Sequence, residues 1–239
     1  MRTFTIAERP PLQKTFSYNS ERIANLEAAL SRERLSPYLA ACGGDQRRAI
    51  ALYEWNSAVS AAFYIPLQNV EVALRNACYR ELRPLFGPTW HDQPNFLRLD
   101  PGFKRAIDDA KNRLRSLHIA ADTPNLVGEL SFGFWTILLA PRFESTLWIP
   151  GLRKAFPRFR SVTSMRLSRP PVAQRFHYLR KLRNQVAHHV PIFNRALTTD
   201  YSSLLETISW MYAYLAEWTD SFSTCADLIT KTPPHYSVR

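Results

Sequence analysis

Glycine is scarce in this sequence, with 7 glycines against 17 prolines in 239 residues. Sheets joined by tight turns need many residues at positive φ, a conformation that glycine adopts most readily. The sequence also lacks clean two-residue alternation with hairpin turns, and it lacks a repeat of fixed period. A composition that is 46% hydrophobic and 21% charged excludes wholesale disorder. We therefore predict a globular all-α protein, built as an irregular helical bundle.

Cysteine is also rare. Cys42, Cys78 and Cys225 are odd in number and far apart, so no close pair can clip a metal or form a redox dithiol. They predict buried free thiols in a reducing compartment, and we expect a cytoplasmic protein. The histidines are not arranged with acids or cysteines as a zinc set. We predict neither a metal nor a cofactor.

Long apolar runs are missing as well. The longest uncharged run, residues 55–70, is interrupted by a proline, a glutamine and two asparagines, and the N-terminal segment has no continuous apolar stretch. Both observations argue against a signal peptide and against a membrane span.

Acidic residues are absent from residues 145–199, although the whole chain carries a net charge of +11. The same stretch holds eleven cations, while the rest of the chain has equal numbers of acids and bases. An acidic partner explains such a field most simply, with nucleic acid first and an acidic protein or anionic membrane second. The alternative is a charged surface that serves only solubility.

The chain is expected to form one domain between two loose ends. Residues 1–18 are predicted to be an irregular arm, because Pro10 and Pro11 block regular structure. Residues 19–230 are predicted to form a single all-α domain, and residues 231–239 a loose tail.

Caps and prolines predict the first helix boundaries. Ser20 is expected to cap the first helix, and Asp45 a long helix that Pro66 kinks or divides. Thr123 is expected to cap the aromatic segment "NLVGELSFGFWTILLA", since Pro124 suits a first helical position.

The basic third predicts further helices. Residues 142–171 are broken by prolines and predict short turns and loops. A helix is expected over residues 171–189, ended by Pro191, which biases the residue before it away from the helical region. A last long helix is expected over residues 199–222.

The stretch "LRKLRNQVAHHVPIFN", residues 179–194, is the strongest candidate site. On an ideal helix one stripe around it is polar: His177, Arg180, Lys181, Asn184 and His188. The opposite stripe is apolar and is expected to pack into the bundle: Val172, Phe176, Leu179, Leu182 and Val186. Arg183 lies at the border, roughly 140° from His188. The two can share an anion if the arginine wraps around the helix, if the helix end loosens, or if a second chain contributes.

These residue types suit attack on a phosphodiester. His188 can take or give a proton near neutral pH, and Arg183 can stabilise extra negative charge on phosphorus. Asn184, one turn before His188, can orient the imidazole or bind a substrate oxygen. The plainer interpretation is that histidine and arginine at a helix end simply complement its dipole.

"LRNQVAHH" followed by "PIFN" resembles the motif of the Abi-like (abortive infection) family, within the HEPN-domain superfamily. The motif is an arginine, a polar residue, three variable positions and a histidine, here Arg183, Asn184 and His188, with His189 doubling the histidine and Asn194 following. The segments "LYEWNSAVSAAFYIPLQNVEVALRNA" and "GELSFGFWTILL" are similar to the family's long helix and aromatic segment. Pro66 and "VPIF" depart from its pattern.

The resemblance implies a HEPN-type bundle that acts as a metal-independent endoribonuclease of the toxin or antiphage kind, held in check by an antitoxin or released by a phage-derived trigger. It implies a homodimer whose two motifs line one cleft, and attack by the ribose 2′-hydroxyl of RNA. The implied catalytic residues are Arg183, Asn184, His188 and His189. We expect RNA to contact the side chains around them: His177, Arg175, Arg180, Lys181, Asn194 and Arg195.

Two features of the resemblance leave alternatives open. Glu71 and Arg75, on the long helix, either form a simple ion pair one turn apart or support the motif indirectly. The whole domain is either the enzyme or a non-catalytic module that binds nucleic acid or a partner protein through its basic third.

Overall fold

The computed structural model describes residues 18–231, and these form helices joined by turns, with no strand among them. The all-α prediction is therefore confirmed for this part of the chain. The predicted N-terminal arm, apart from residue 18, and residues 232–239 of the predicted tail lie outside the described residues. No described helix combines the length and the apolar character needed to cross a membrane.

The described chain groups into two compact units, residues 18–54 and residues 55–231. The single domain over residues 19–230 stays a prediction. The boundary falls inside a long helix, which belongs in part to each unit.

The first unit begins with helices α1 (Ser20–Leu30) and α2 (Arg32–Ala41) and contains the start of α3 (Gln46–Phe86). The side chain of Asn19 accepts a hydrogen bond from the Arg22 amide and caps α1. Ser20 was expected to be the cap, but it is the first helical residue, since asparagine caps at least as well as serine.

Helix α3 is 41 residues long and continues through Pro66, so the proline does not divide it. A proline inside a helix removes one backbone donor, and the apolar face of a helix this long supplies compensating burial. Asp45 accepts from the Arg48 amide just before the helix, as its predicted capping role requires.

The second unit contains the rest of α3 and nine further α-helices. They are α4 (Pro94–Leu97), α5 (Pro101–Ser116), α6 (Thr123–Glu129), α7 (Phe132–Ile137), α8 (Phe159–Thr163), α9 (Arg169–Ala187), α10 (Leu197–Met211), α11 (Ala213–Phe222) and α12 (Cys225–Thr230). Short 3₁₀ turns and one π-helical turn, Glu144–Trp148, fill most of the segment between α7 and α8. Helix α9 packs against α7 and α10, and α10 also packs against α8, α11 and α12.

Two predicted helices are each broken in two. The aromatic segment forms α6 and α7, capped by Asp122 and Ser131, which accept from the amides of Asn125 and Phe134. Thr123, the expected cap, is the first residue of α6. The last helix breaks at Tyr212, whose extended backbone (φ −144°, ψ 101°) separates α10 from α11.

The apolar side of α9 lies in the core, as predicted. Val172, Phe176, Leu179 and Leu182 are fully buried, and Val186 is half-buried. The ring of Phe176 contacts the rings of Phe132 and Phe156. This packing leaves the polar stripe of α9 facing outward.

The three cysteines are free thiols in the described chain. Cys78 and Cys225 are buried, as expected, and burial raises the pKa of each thiol, to about 12 and about 11. Cys42 is only half-buried, so the expectation of burial is wrong for this one.

Candidate functional site

The motif lies at the C-terminal end of α9, and the backbone there adopts a defined helix-ending geometry. The helix ends at Ala187, and His188 is its C-cap (φ −97°, ψ 12°). The amide of His189 donates to Val186 (3.1 Å) and the amide of Val190 to Gln185 (2.8 Å). This pair of bonds is the Schellman motif, which requires a left-handed residue just past the cap.

His189 occupies that left-handed position, with φ +56°. Glycine is the usual residue there, because a side chain in this conformation is strained. Pro191 was expected to end the helix, but the helix has already stopped at Ala187 through its own hydrogen bonds. The end of α5 has the same pattern, with His118 at φ +57° and the Ile119 amide donating to Leu114. A histidine at this position is therefore a local feature of the chain and needs no catalytic explanation.

Arg183 contacts Glu71. Its Nε lies 3.6 Å from the Glu71 Oε2, and the side chains are 39% and 24% exposed. Helix α3 thus supplies a carboxylate directly behind the motif arginine, which stays open enough to reach a ligand. An indirect role toward the motif was considered for Glu71 and Arg75. The structure brings Glu71 into contact with Arg183, a predicted catalytic residue.

Arg75 is placed differently. Its Nη1 lies 3.5 Å from the carbonyl oxygen of Gly128, a long hydrogen bond to α6, and its Nε is buried without a hydrogen-bond partner. Glu71 meets Arg183, so the simple Glu71–Arg75 pair expected from helical spacing gives way to a contact between helices. Arg75 connects α3 to α6 and does not join the motif in this structure.

The exposed stripe of α9 matches the helical prediction. His177, Lys181, Asn184 and His188 are exposed and Arg180 is half-buried, while His189 next to the stripe is also exposed. The polar groups predicted to meet a substrate are thus on the outside of the unit, on a regular helix whose other side is locked into the core.

Asn56 holds the segment after the histidines, and the sequence did not point to it. Its side chain is buried, and its Oδ1 accepts from the amides of Ile192 (2.8 Å) and Phe193 (3.0 Å). Ile192 and Phe193 are themselves buried. One amide side chain on α3 therefore fixes the backbone between the histidines and the exposed Asn194.

Arg195 belongs to a partly buried ionic network. Its guanidinium donates two hydrogen bonds to the fully buried carboxylate of Asp200 (2.7 and 2.8 Å) and one to the side-chain oxygen of Gln185. The hydroxyl of Tyr178 also donates to Asp200, and burial together with this carboxylate raises the pKa of the tyrosine. The RNA-binding role expected for Arg195 stays a prediction, and three of the five donors of its guanidinium are engaged within the unit.

Arg175 has a similar structural role. Its Nη1 donates to the carboxylate of Glu206 (2.7 Å) and to the carbonyl of Ser203 (3.2 Å). The guanidinium also lies 5.0 Å from the ring centroid of Trp210. These contacts tie α9 to α10, and the expectation that Arg175 contacts RNA stays a prediction.

The acid-free third of the sequence is thus partly neutralised by acids from outside it. Four of its eleven cations form ion pairs: Arg169 with Glu144, Arg175 with Glu206, Arg183 with Glu71 and Arg195 with Asp200. Within residues 18–231, no ion pair engages the other seven: Arg153, Lys154, Arg158, Arg160, Arg166, Arg180 and Lys181. All seven are exposed except Arg180, which is half-buried. They are the surplus available to an acidic partner.

A surface cavity of about 260 Å³ lies beside the polar stripe. His177 and Arg180 of α9 form one side of it. The full lining is Thr136, Ile137, Leu139, Ala140, Pro141, Ala173, His177 and Arg180, with no acid among them.

No group of three or more histidine, cysteine or acidic side chains in the described chain is arranged to hold a metal ion. Comparison with protein-family models, with curated proteins and with solved structures found no match for this chain.

Proposed function

We propose that the protein is an endoribonuclease of the abortive-infection or toxin kind that needs no metal, with the motif at the end of α9 as its site. The observation that carries the proposal is the contact of Arg183 with Glu71, beside an exposed stripe that holds Asn184 and His188. A carboxylate behind an arginine sets its orientation, and a half-exposed guanidinium keeps donors for a phosphate.

The chemistry uses the substrate's own nucleophile. His188 accepts the proton of the ribose 2′-hydroxyl, and the oxygen attacks the adjacent phosphorus. Arg183 donates hydrogen bonds to the phosphoryl oxygens as negative charge builds up on them. The bond from phosphorus to the 5′-oxygen breaks, a proton is returned to that oxygen, and the products are a 2′,3′-cyclic phosphate and a 5′-hydroxyl end.

The remaining motif residues have supporting roles. Asn184, one turn before His188, orients the imidazole or binds a phosphoryl oxygen, and His189 is the second candidate for proton transfer. Lys181 and Arg180, on the same stripe, attract the RNA backbone.

A homodimer would complete the site. Arg183 lies at the border of the stripe, so a second copy that brings its own stripe to face the first would place an arginine and a histidine from different chains around one phosphate. The outward position of the stripe is consistent with this arrangement. Mixing Arg183→Ala with His188→Ala protein tests it, because a two-chain site regains activity in mixed dimers, whereas a one-chain site leaves the mixture inactive.

The central experiment is cleavage of mixed RNA in excess EDTA. We expect the wild type to produce cyclic-phosphate ends, His188→Ala and Arg183→Ala to lose at least 100-fold of that rate, and a DNA copy of the substrate to stay intact. His118→Ala is the control, because His118 is an exposed histidine just past the end of α5, outside the motif. Cleavage that EDTA abolishes, or that both motif variants retain, contradicts the proposal.

A non-catalytic nucleic-acid or protein-binding module is the alternative function, and the seven cations without ion pairs favour it independently of the motif. It predicts RNA binding that weakens steeply with salt and yields no product. In either case we propose RNA as the partner. For the enzyme we also propose that an antitoxin or a phage-derived trigger regulates its activity. Growth arrest on expression, relieved by His188→Ala, separates the toxin from the binding module.

A further inference from the structure

We propose that the cavity beside α9 binds one base of the RNA and so gives the cleavage a sequence preference. The inference rests on the proposed function, and it identifies the place where one base of the RNA strand is recognised. The cavity is separate from the motif, and none of its lining residues belongs to the Arg183–His188 set.

The composition of the cavity suits a nucleobase. Ile137, Leu139 and Pro141 offer apolar surface to the flat faces of a heterocycle. Arg180 and His177 place hydrogen-bonding groups at one side, and an arginine also stacks well on aromatic rings. A volume of about 260 Å³ is large enough for a single base.

The hydroxyl of Thr136 adds directional chemistry. It donates to the carbonyl of Gly133 (3.0 Å) within α7, so its oxygen is left to accept a hydrogen bond from a ligand. Arg180 can only donate. The cavity therefore presents an acceptor and a donor, which matches the edge of a base that carries an amino group and a ring nitrogen or carbonyl together.

The cavity lies beside the stripe of α9 along which an RNA strand bound at the motif would run. Arg180 is four residues before Asn184 and eight before His188, on the same stripe of α9. Eight residues of helix span about 12 Å. A strand with its reacting phosphate at His188 and its backbone along this stripe brings the base of a nearby nucleotide to the cavity.

The cavity wall is held in place by the same chain. Arg169 donates to the carbonyl of Leu139 (3.1 Å) and forms an ion pair with Glu144, which fixes the turn after α7 against the start of α9. The cavity thus lies between two elements that are tied together without a ligand, as expected of a largely preformed binding site.

The test measures binding of the four nucleoside monophosphates by titration calorimetry and by methyl shifts of Ile137 and Leu139. Ala173→Phe fills the cavity, and Gln174→Phe adds the same bulk at an exposed neighbour outside the lining. Arg180→Ala removes the charged wall, and Arg105→Ala removes an exposed arginine of α5 that lines neither the cavity nor the motif. We expect Ala173→Phe and Arg180→Ala to weaken binding about tenfold or more, and both controls to bind like the wild type.

His188→Ala separates this inference from the proposed function. This variant is expected to bind nucleotides like the wild type, because His188 does not line the cavity. If the wild type binds nucleotides but cleaves no RNA, the proposed enzyme is contradicted and the base site is not. If the enzyme is active, Ala173→Phe should cleave with a relaxed preference at one position beside the scissile bond. Equal binding by the wild type and Ala173→Phe, or no binding by the wild type, overturns the inference.

Discussion

The Nε of Arg183 lies 3.6 Å from the carboxylate of Glu71, which joins the motif helix α9 to the long helix α3. The two residues are far apart in the sequence, and both side chains are partly exposed. A pair of this kind contributes little to stability, because solvent screens it and ordering two long side chains costs entropy. The Arg183–Glu71 pair is therefore expected to set the orientation of the guanidinium and to add little to the free energy of unfolding.

Glu71→Gln is expected to slow RNA cleavage about tenfold, or about 1.4 kcal/mol of transition-state stabilisation, because the amide no longer orients Arg183 by charge. The free energy of unfolding should fall by less than about 1 kcal/mol. Glu206→Gln is the matched control, since Glu206 pairs with Arg175 on the same helix away from the motif. Equal losses of rate in the two variants would show that Glu71 has no special relation to the site.

Asn56→Leu is expected to lower the free energy of unfolding by about 2–3 kcal/mol, because it leaves the buried amides of Ile192 and Phe193 without an acceptor. Amide hydrogen exchange should quicken at those two residues. Asn69→Leu provides the comparison: Asn69 is also buried on α3, but it makes one hydrogen bond, to the hydroxyl of Thr219. If Asn69→Leu loosens residues 192–193 as much, the anchoring role of Asn56 is wrong.

His189→Gly is expected to raise the free energy of unfolding by about 0.5–1 kcal/mol, because glycine adopts the left-handed backbone of a Schellman motif without strain. His118→Gly should give a similar gain at the end of α5, where the backbone is the same. Urea unfolding measures both. A fall in RNA cleavage with His189→Gly alone would separate a catalytic imidazole from a purely conformational residue, and equal activity in both variants would remove His189 from the site.

His91 makes stability depend on pH. Its ring is buried, with Nε2 2.9 Å from the Thr123 hydroxyl and Nδ1 3.2 Å from Asp92. Burial lowers the pKa of His91, with Lys111 adding to the effect and Asp92 opposing it. The His91 ring takes up a proton near pH 6.5 in the unfolded chain and only at lower pH in the folded chain. The contribution of neutral His91 to the free energy of unfolding is therefore fully present above about pH 6.5 and is lost as the pH falls below it.

We therefore expect the wild type to lose more free energy of unfolding between about pH 7.5 and pH 5.5 than His91→Gln does. The difference between the two proteins should narrow toward the acidic end of the range. His177→Gln is the control, because His177 is exposed. A wild-type loss that His91→Gln shares in full would show that other groups carry the pH dependence.

Much of the fold could be predicted because helix signals are local. The apolar stripe of α9 and the capping role of Asp45 are encoded within a few turns of chain, and both are confirmed. The errors are of two kinds. At α1 and α6 a neighbouring residue, Asn19 or Asp122, caps in place of the expected one, since several polar residues do this equally well. At Tyr212 the backbone extends where the apolar pattern continues unbroken, so no periodicity could mark the break.

The end of α9 shows a further limit. A glycine at position 189 would have indicated a Schellman ending, but a histidine takes the left-handed position there, and Pro191 was therefore the expected end of the helix. Only the backbone geometry distinguishes a histidine that ends a helix from one that continues it.

By itself the sequence determined that this protein is helical, that its positive surplus lies in one third of the chain, and that Asn184 and His188 share the outer face of α9. Each of these depends on composition or on spacing within a few turns. The tertiary structure alone decided which cations remain available: it paired Arg195 with the buried Asp200, tied Arg175 to Glu206 and set Glu71 behind Arg183. The physical reason is that a charge is neutralised by its nearest neighbours in space, and helix packing brings those neighbours from distant parts of the chain.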